Sequence, residues 1–115
     1  MKTDESLSKK KDFDHIYQNG KKHTAKGILL AYTAKNQVDH NRTAFVVSKK
    51  IGNAVQRNKK RRQIRAAYQL LKDKIAQGFD ILFLALKQEK NASYQQIAEA
   101  VKLVLQKAGI LINNE

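Results

Sequence analysis

Residues 79–86 read FDILFLAL, and every position in this stretch except Asp80 is apolar. Short runs that are almost wholly apolar are typical of a strand that is covered on both faces. Gly78 precedes the run and separates it from the segment before it. We therefore predict a buried strand over residues 79–86, and this strand organises the interpretation of its neighbours.

A long helix is predicted directly before this strand, over residues 54–76. Its apolar residues recur at helical spacing and should pack on a sheet. Upstream of the helix, residues 42–48 (RTAFVVS) have the composition of a second strand. Strand, helix and strand together make a βαβ unit. The apolar residues of the helix are Ile64, Ala67, Tyr68, Leu71 and Ile75.

One further strand is predicted in the N-terminal half. Residues 25–34 (AKGILLAYTA) read as a strand that is apolar on both faces. Residues 36–41 (NQVDHN) are polar except for Val38 and are predicted to form a turn. The strands over residues 25–34 and 42–48 are therefore predicted to pair as an antiparallel hairpin.

Two shorter helices are predicted near the ends of the chain. The first begins at Leu7 with Ser8 as its cap, and the second begins at Ser93 with Gln96 as a capping-box partner. Asn19-Gly20 and Gly109 end them. Their apolar residues are Phe13, Ile16 and Tyr17 in the first helix, and Ile97, Val101, Val104, Leu105 and Ala108 in the second.

These elements predict one domain over residues 1–115, with residues 1–6 frayed. The fold class is α+β, a two-layer sandwich in which helices pack on a mixed sheet of about four strands.

The composition indicates a polyanionic partner. Lys and Arg total 23 against 10 for Asp and Glu, which gives a net charge of +13. A nucleic acid suits such a charge because its release of counterions favours binding, and an anionic membrane is the competing polyanion. No apolar stretch is long enough to span a bilayer, and the N-terminus has no signal-peptide pattern, so we expect a cytoplasmic protein. The chain has no cysteine, which excludes disulfides and thiolate metal sites.

The positive charge is concentrated in residues 49–65 (KKIGNAVQRNKKRRQIR), which contain no acidic residue. On a helix, Asn58, Arg61, Arg62 and Arg65 lie on one face, and arginine suits phosphate because its planar fork donates two parallel hydrogen bonds. The alternative is a solvated helix face, but ordinary solvated faces mix both signs of charge. From the residues alone, both RNA and DNA remain possible partners.

Residues 50–58 (KIGNAVQRN), followed by Arg61, Arg62 and Arg65, closely resemble the RNR motif of the bacterial ribonuclease P protein family. The resemblance extends in family order over residues 7–108. Two departures are visible. Lys59 stands where the motif has its last arginine, which keeps the charge and loses the bidentate fork. The strand before Tyr32 is one residue longer than the family pattern, which shifts the match of Tyr32 by one place.

The resemblance implies an α+β fold like that of the second domain of ribosomal protein S5. Its βαβ crossover is left-handed, whereas general chirality favours a right-handed one. It also implies an accessory protein of an endoribonuclease that removes the 5′ leader from precursor tRNA, with a large RNA subunit performing the hydrolysis with Mg²⁺. The protein itself is expected to bind no cofactor or metal, no membrane and no small-molecule substrate, and to carry no catalytic residue.

The resemblance further implies two sets of binding residues. Residues expected to bind the ribonuclease P RNA are Lys49, Lys50, Arg57, Asn58, Lys59, Lys60, Arg61, Arg62 and Arg65. Residues expected to bind the single-stranded leader, in a cleft between the first helix and the sheet, are Phe13, Tyr17 and Tyr32. These aromatic side chains could stack on unpaired bases or, alternatively, close the helix onto the core.

Two other functions fit the composition. A structural RNA-binding protein of the ribosomal kind shares the charge and the basic helix, and only the motif and its flanking order argue against it. A DNA-binding module is the second alternative, although no helix–turn–helix is evident. His15, His23 and His40 lack metal-ligand spacing, and neither a carboxylate cluster nor a glycine-rich phosphate loop is present.

Overall fold

In the computed structural model of the protein, residues 5–112 are described, except for the side chain of Gln88. They form three α-helices and a mixed four-stranded sheet, which confirms the α+β class. None of the helices in this range is long and apolar enough to cross a membrane. The elements are α1 (Lys10–Asn19), β1 (Lys21–Ala25), β2 (Leu29–Lys35), β3 (Arg42–Val46), α2 (Ala54–Leu71), β4 (Phe79–Ala85) and α3 (Tyr94–Lys107).

β4 lies inside the sheet, whose order is β1-β2-β4-β3. It pairs antiparallel with β2 and parallel with β3, so the predicted buried strand and the βαβ unit are confirmed. The predicted antiparallel hairpin between residues 25–34 and 42–48 is wrong. Both of those strands pair with β4, one on each of its edges, because a strand that is buried on both faces also takes a partner on each side.

The prediction of a single strand over residues 25–34 is also wrong. Residues 21–35 form a hairpin in which Lys21 pairs with Thr33 and Ala25 pairs with Leu29. The turn between the strands has positive φ at two successive residues, Lys26 (57°) and Gly27 (69°), which suits the twist of a tight hairpin. Sequence reasoning missed β1 because it is a polar edge strand (KKHTA) without an apolar face.

Successive residues of β4 point to opposite faces of the sheet. Ile81 and Phe83 belong to the larger core cluster with α2 and α3, whereas Leu82 belongs to a smaller cluster with Ile16 of α1. Helices α2 and α3 therefore cover one face, and α1 lies across part of the other.

The first helix begins later than predicted. Its N-cap is Lys9, without a side-chain hydrogen bond, and Ser8 caps nothing. The reason is that the backbone of Leu7 still donates to Thr43 O (2.9 Å) and its side chain is buried. Gly20 has φ −77° and ends α1 in extended backbone instead of a left-handed turn. Of the residues predicted to fray, 1–4 lie outside the described range, and Glu5 O accepts a hydrogen bond from Thr43 N (2.7 Å).

The second helix ends earlier than predicted, at Leu71, and a short 3-10 helix (Lys72–Lys74) follows it. Ile75 is still buried, but it reaches the core from an isolated bridge to Leu111. Helix α3 begins as predicted, with the reciprocal capping box of Ser93 and Gln96. Its predicted inner face is buried at Ile97, Val101, Val104 and Leu105 and half-buried at Ala108.

Candidate nucleic-acid interface

The start of α2 is fixed by a reciprocal capping box. Asn53 Oδ1 accepts from Gln56 N (2.9 Å), and Gln56 Oε1 accepts from Asn53 N (2.8 Å). Gly52 directly before the cap has φ 157°, and a Cβ there would overlap the Gln56 side chain. Two of the predicted RNA-binding residues, Lys49 and Lys50, are exposed on the 3-10 helix that leads into this cap. The capping box therefore holds the basic segment at a defined angle to α2.

Four of the predicted residues come together on one face of α2, as the helical spacing predicts. We call Asn58, Arg61, Arg62 and Arg65 the arginine face. With Val55 they line an open cavity of about 460 Å³, and among residues 5–112 no acidic side chain contributes to its lining. Arg61 Nη1 donates to Asn58 Oδ1 (2.7 Å), which orders the guanidinium within the face.

Arg65 connects the arginine face to the core. Its guanidinium carbon lies 5.6 Å from the centroid of the Phe45 ring. Phe45 in turn stacks on Phe83 of β4, with centroids 5.5 Å apart and rings 3° from parallel, and Tyr68 of α2 meets both rings edge-on. The arginine face therefore rests on a packed aromatic cluster, which limits the freedom of Arg65 before any ligand binds.

Three further predicted residues do not join the arginine face. Lys59 and Lys60 line a second, smaller cavity of about 190 Å³ with Gln56, Ile51 and Lys90. Lys60 Nζ also donates to Ala92 O (2.9 Å), so this lysine already has a structural partner. Arg57 is half-buried, and its Nε has no hydrogen-bond partner among residues 5–112. The seven predicted residues on α2 thus occupy different sides of the helix instead of one surface, and Lys49 and Lys50 lie on the 3-10 helix before it.

Glu89 lies close enough to Lys60 for their charges to interact, and it was not singled out from the sequence. Its side chain is fully buried (0% exposed), and neither carboxylate oxygen has a hydrogen-bond partner among the described residues. Burial raises the pKa of Glu89 from 4.5 to about 7, and the nearby charge of Lys60 opposes this increase. No sequence signal could have found this residue, because Glu89 lies in a short polar segment between β4 and α3.

The predicted leader-binding residues lie on the opposite side of the sheet, where α1 packs. Tyr17 of α1 is half exposed (50%), and its ring meets Tyr32 of β2 edge-on with centroids 5.1 Å apart. Phe13 is half-buried and packs on the smaller core cluster. The structure therefore brings all three together, with Phe13 also serving the core. We call Phe13, Tyr17 and Tyr32 the aromatic group.

The sheet beside the aromatic group presents residues that sequence reasoning missed. The register places Leu30 of β2, Leu84 of β4 and Val46 of β3 in one row across the face that carries Tyr32. All three are only half-buried. Lys22 of β1 lies opposite Tyr32 and is exposed. Correct prediction of the strand register would have identified these residues, because successive side chains of a strand point to alternate faces of the sheet.

The three histidines lie in different parts of the fold and take part in no metal-binding cluster of the described residues. Among residues 5–112, no three His, Cys, Asp or Glu side chains gather closely enough to hold a metal ion. His15 lies in α1 beside Asn19, His23 lies in β1, and His40 lies in the β2–β3 loop beside Asp39.

Comparison with known proteins identifies the family. A family model described as Ribonuclease P matches residues 1–109. The chain is 39% identical over 105 residues to the ribonuclease P protein component of Clostridium botulinum strain 657, which covers 90% of this chain and 94% of that protein. It is 38% identical over 107 residues to the same component of Clostridioides difficile strain 630, covering 92% and 93% of the two chains.

Solved structures agree with these matches. The RNase P protein of Staphylococcus aureus superposes with a TM-score of 0.87 at 34% identity, covering 95% of this chain and 99% of that one. The RNase P protein of Thermotoga maritima gives a TM-score of 0.79 at 28% identity, covering 90% and 96%. The sequence and the fold agree, and the chain belongs to the ribonuclease P protein family.

Proposed function

We propose that this chain is the protein subunit of a ribonucleoprotein that removes the 5′ leader from precursor tRNA, and that the arginine face binds the catalytic RNA of that enzyme. The observation that carries the proposal is the convergence of Asn58, Arg61, Arg62 and Arg65 on one open cavity, to which the described part of the chain contributes no acidic residue.

The physical argument is electrostatic and geometric. Each guanidinium can donate two parallel hydrogen bonds to a phosphate, and each phosphate contact releases condensed counterions. The face is partly ordered before binding, since Arg61 is bonded to Asn58 and Arg65 is packed on Phe45. Less side-chain entropy is therefore lost when RNA binds.

The aromatic group suits the single-stranded leader. Tyr17 and Tyr32 present ring surface beside the half-buried row of Leu30, Leu84 and Val46. Stacking on aromatic rings tolerates any base sequence, because every base has a π-face. In this proposal the exposed side chain of Lys22 follows the leader backbone.

In this proposal the protein raises the affinity for substrate, and the RNA subunit performs the hydrolysis with Mg²⁺. No side chain of the protein is assigned a catalytic role. The partners are therefore the ribonuclease P RNA and the precursor tRNA, and neither a membrane nor a small-molecule substrate takes part.

The test is reconstitution. The purified protein is mixed with a bacterial ribonuclease P RNA at low Mg²⁺, and cleavage of precursor tRNA is followed. We expect the protein to stimulate cleavage and to bind this RNA more tightly than arbitrary RNAs of equal length. Equal binding to all RNAs without stimulation would contradict the proposal and favour a general RNA-binding protein.

A further inference from the structure

A second basic pocket lies on the other side of α1 from the aromatic group. His15 and Asn19 are four residues apart and share one side of the helix, while Phe13 and Tyr17 share another side, because a shift of two positions turns a helix by about 200°. His15 and Asn19 line a cavity of about 530 Å³ together with Lys21 and Lys35. None of the described residues that line it is acidic.

The two lysines lie on one face of the sheet. Lys21 pairs with Thr33 in the β1–β2 ladder, and Lys35 follows Thr33 by two residues on β2. Residues related in this way are diagonal neighbours whose side chains point to the same side. Both lysines are exposed, so two ammonium groups flank the same cavity. Two adjacent positive charges favour a phosphate group.

The polar wall has a defined hydrogen-bonding pattern. Asn19 Nδ2 lies 3.2 Å from both His15 O and His15 Nδ1. The carbonyl oxygen can only accept, so the Asn19 amide nitrogen must point toward it, and His15 Nδ1 must accept from the same nitrogen. In the neutral imidazole the ring proton is then on Nε2, where it can be donated to a ligand. The side-chain oxygen of Asn19 adds an acceptor to the lining residues.

Part of the cavity lining is apolar. Phe79 of β4 is half-buried, and Ala108 and Ile110 follow from the end of α3. The cavity therefore combines ammonium groups, a donor and acceptor pair, and an apolar surface with an aromatic ring. This combination suits a nucleotide, whose phosphate, base edge and base plane need these three kinds of contact.

We infer that this pocket, lined by His15, Asn19, Lys21 and Lys35, binds one unpaired nucleotide of RNA on the side of α1 away from the aromatic group. The inference rests on the proposed function, and the RNA is either the catalytic RNA or the precursor tRNA. Helix α1 then lies between two RNA contacts, so both of its sides are bound in the assembled enzyme.

The first test is the double variant Lys21→Ala/Lys35→Ala in the reconstituted holoenzyme. Its matched control is Lys74→Ala/Lys102→Ala, which removes the same two charges from exposed lysines outside this cavity. We expect the pocket variant to weaken RNA binding by about fivefold or more and to lower the salt slope by about 0.7 for each phosphate that is no longer neutralised. The control should change binding by less than about twofold.

Three binding measurements identify the source of the nucleotide. A defect in binding the RNA subunit alone assigns it to that subunit, and a defect only with leader-bearing precursor assigns it to the leader. A defect with mature tRNA as well assigns it to the tRNA body. Equal behaviour of the pocket variant and the control in all three binding measurements would overturn the inference. Stimulation of precursor tRNA cleavage by the wild-type protein, measured in the reconstitution experiment, would then leave the proposed function intact. If the wild-type protein fails to stimulate, both fall together.

A cross-linking experiment tests the position directly. The chain has no cysteine, so Lys35→Cys carries a single photoreactive group, with Lys102→Cys as the matched control. We expect Lys35→Cys to cross-link to one short stretch of RNA in the holoenzyme and the control to give only background. Background cross-linking at both positions would contradict the inference.

Discussion

The guanidinium carbon of Arg65 lies 5.6 Å from the centroid of the Phe45 ring. The Phe45 ring also stacks on the ring of Phe83 in the core. Arg65 of the arginine face therefore packs on an aromatic ring whose position is fixed by the core. This relationship connects the core of the sheet to the surface that we propose for RNA binding. A cation–π contact of this kind contributes about 0.5–1 kcal/mol at an exposed site.

Phe45→Leu should therefore weaken binding to the ribonuclease P RNA by about two- to fivefold, because Arg65 loses its aromatic support. Affinity is measured by RNA titration at a temperature where thermal unfolding shows the variant to be folded. Phe45→Tyr is the control, since it keeps a ring beneath the guanidinium. Wild-type affinity in the folded leucine variant would show that the ring does not position Arg65.

We expect Glu89 to make the stability of the protein depend on pH. Its carboxyl has a pKa of about 7 in the fold because of burial, against 4.5 ordinarily. At pH values between 4.5 and about 7, the folded state binds more protons than the unfolded state. The free energy of unfolding therefore falls as pH rises through this range. The full decline is roughly 3 kcal/mol at about 1.4 kcal/mol per pKa unit.

Glu89→Gln should remove this decline and stabilise the protein by about 2–3 kcal/mol at pH above 7. Urea unfolding at a series of pH values measures it. Glu99→Gln is the control, because Glu99 is half exposed and paired with Lys26 at 3.0 Å. An unchanged pH dependence in Glu89→Gln would mean that this carboxyl titrates normally.

Arg42 and Asp80 form a bidentate pair beneath α1. Arg42 Nε and Nη2 donate to the two carboxylate oxygens of Asp80 at 2.9 and 2.8 Å, and Asp80 is 1% exposed. Arg42 Nη2 also lies 3.6 Å from Asp12 Oδ1 of α1. The pair therefore helps to hold α1 on the sheet.

Asp80→Ala should reduce the free energy of unfolding by about 3–5 kcal/mol, because it leaves the half-buried guanidinium without its main partner. Chemical denaturation measures the loss. Lys26→Ala breaks an exposed ion pair and should cost less than about 1 kcal/mol. If both substitutions cost the same, the buried pair does not hold α1 in place.

Tyr17→Ala should weaken the binding of leader-bearing precursor tRNA and leave mature tRNA unaffected, since the exposed ring is proposed to stack on a leader base. The expected loss is about 1–3 kcal/mol in binding free energy. Tyr94→Ala removes a tyrosine of comparable exposure (38%) from α3 and is the control. Equal loss with both RNAs would assign Tyr17 to a structural role.

Local sequence patterns predicted the parts of the fold that depend on near neighbours. The apolar run at residues 79–86, the capping box at Ser93 and the helical spacing from Asn58 to Arg65 each involve contacts within a few positions, and the structure confirms their geometry. Motif resemblance then identified the family, which the comparisons confirm.

Long-range pairing was not predictable in the same way. Nothing in residues 25–48 indicates that β4 lies between β2 and β3, because that order is set by which strand is buried on both faces. The spacing of α2 likewise did not show that Lys60 bonds to Ala92 or that Arg57 is half-buried. The contact between Lys60 and Ala92 joins residues that are 32 positions apart in the chain.

The most direct test of the central claim is the salt dependence of binding to the ribonuclease P RNA. The wild-type protein is compared with Arg61→Ala and Arg65→Ala, with Lys102→Ala as a charge-matched control outside the arginine face. We expect each arginine substitution to weaken binding and to lower the slope of log affinity against log salt by roughly one unit, while the control keeps the wild-type slope. Identical slopes for all four proteins would contradict the assignment of the arginine face as the surface that binds the catalytic RNA.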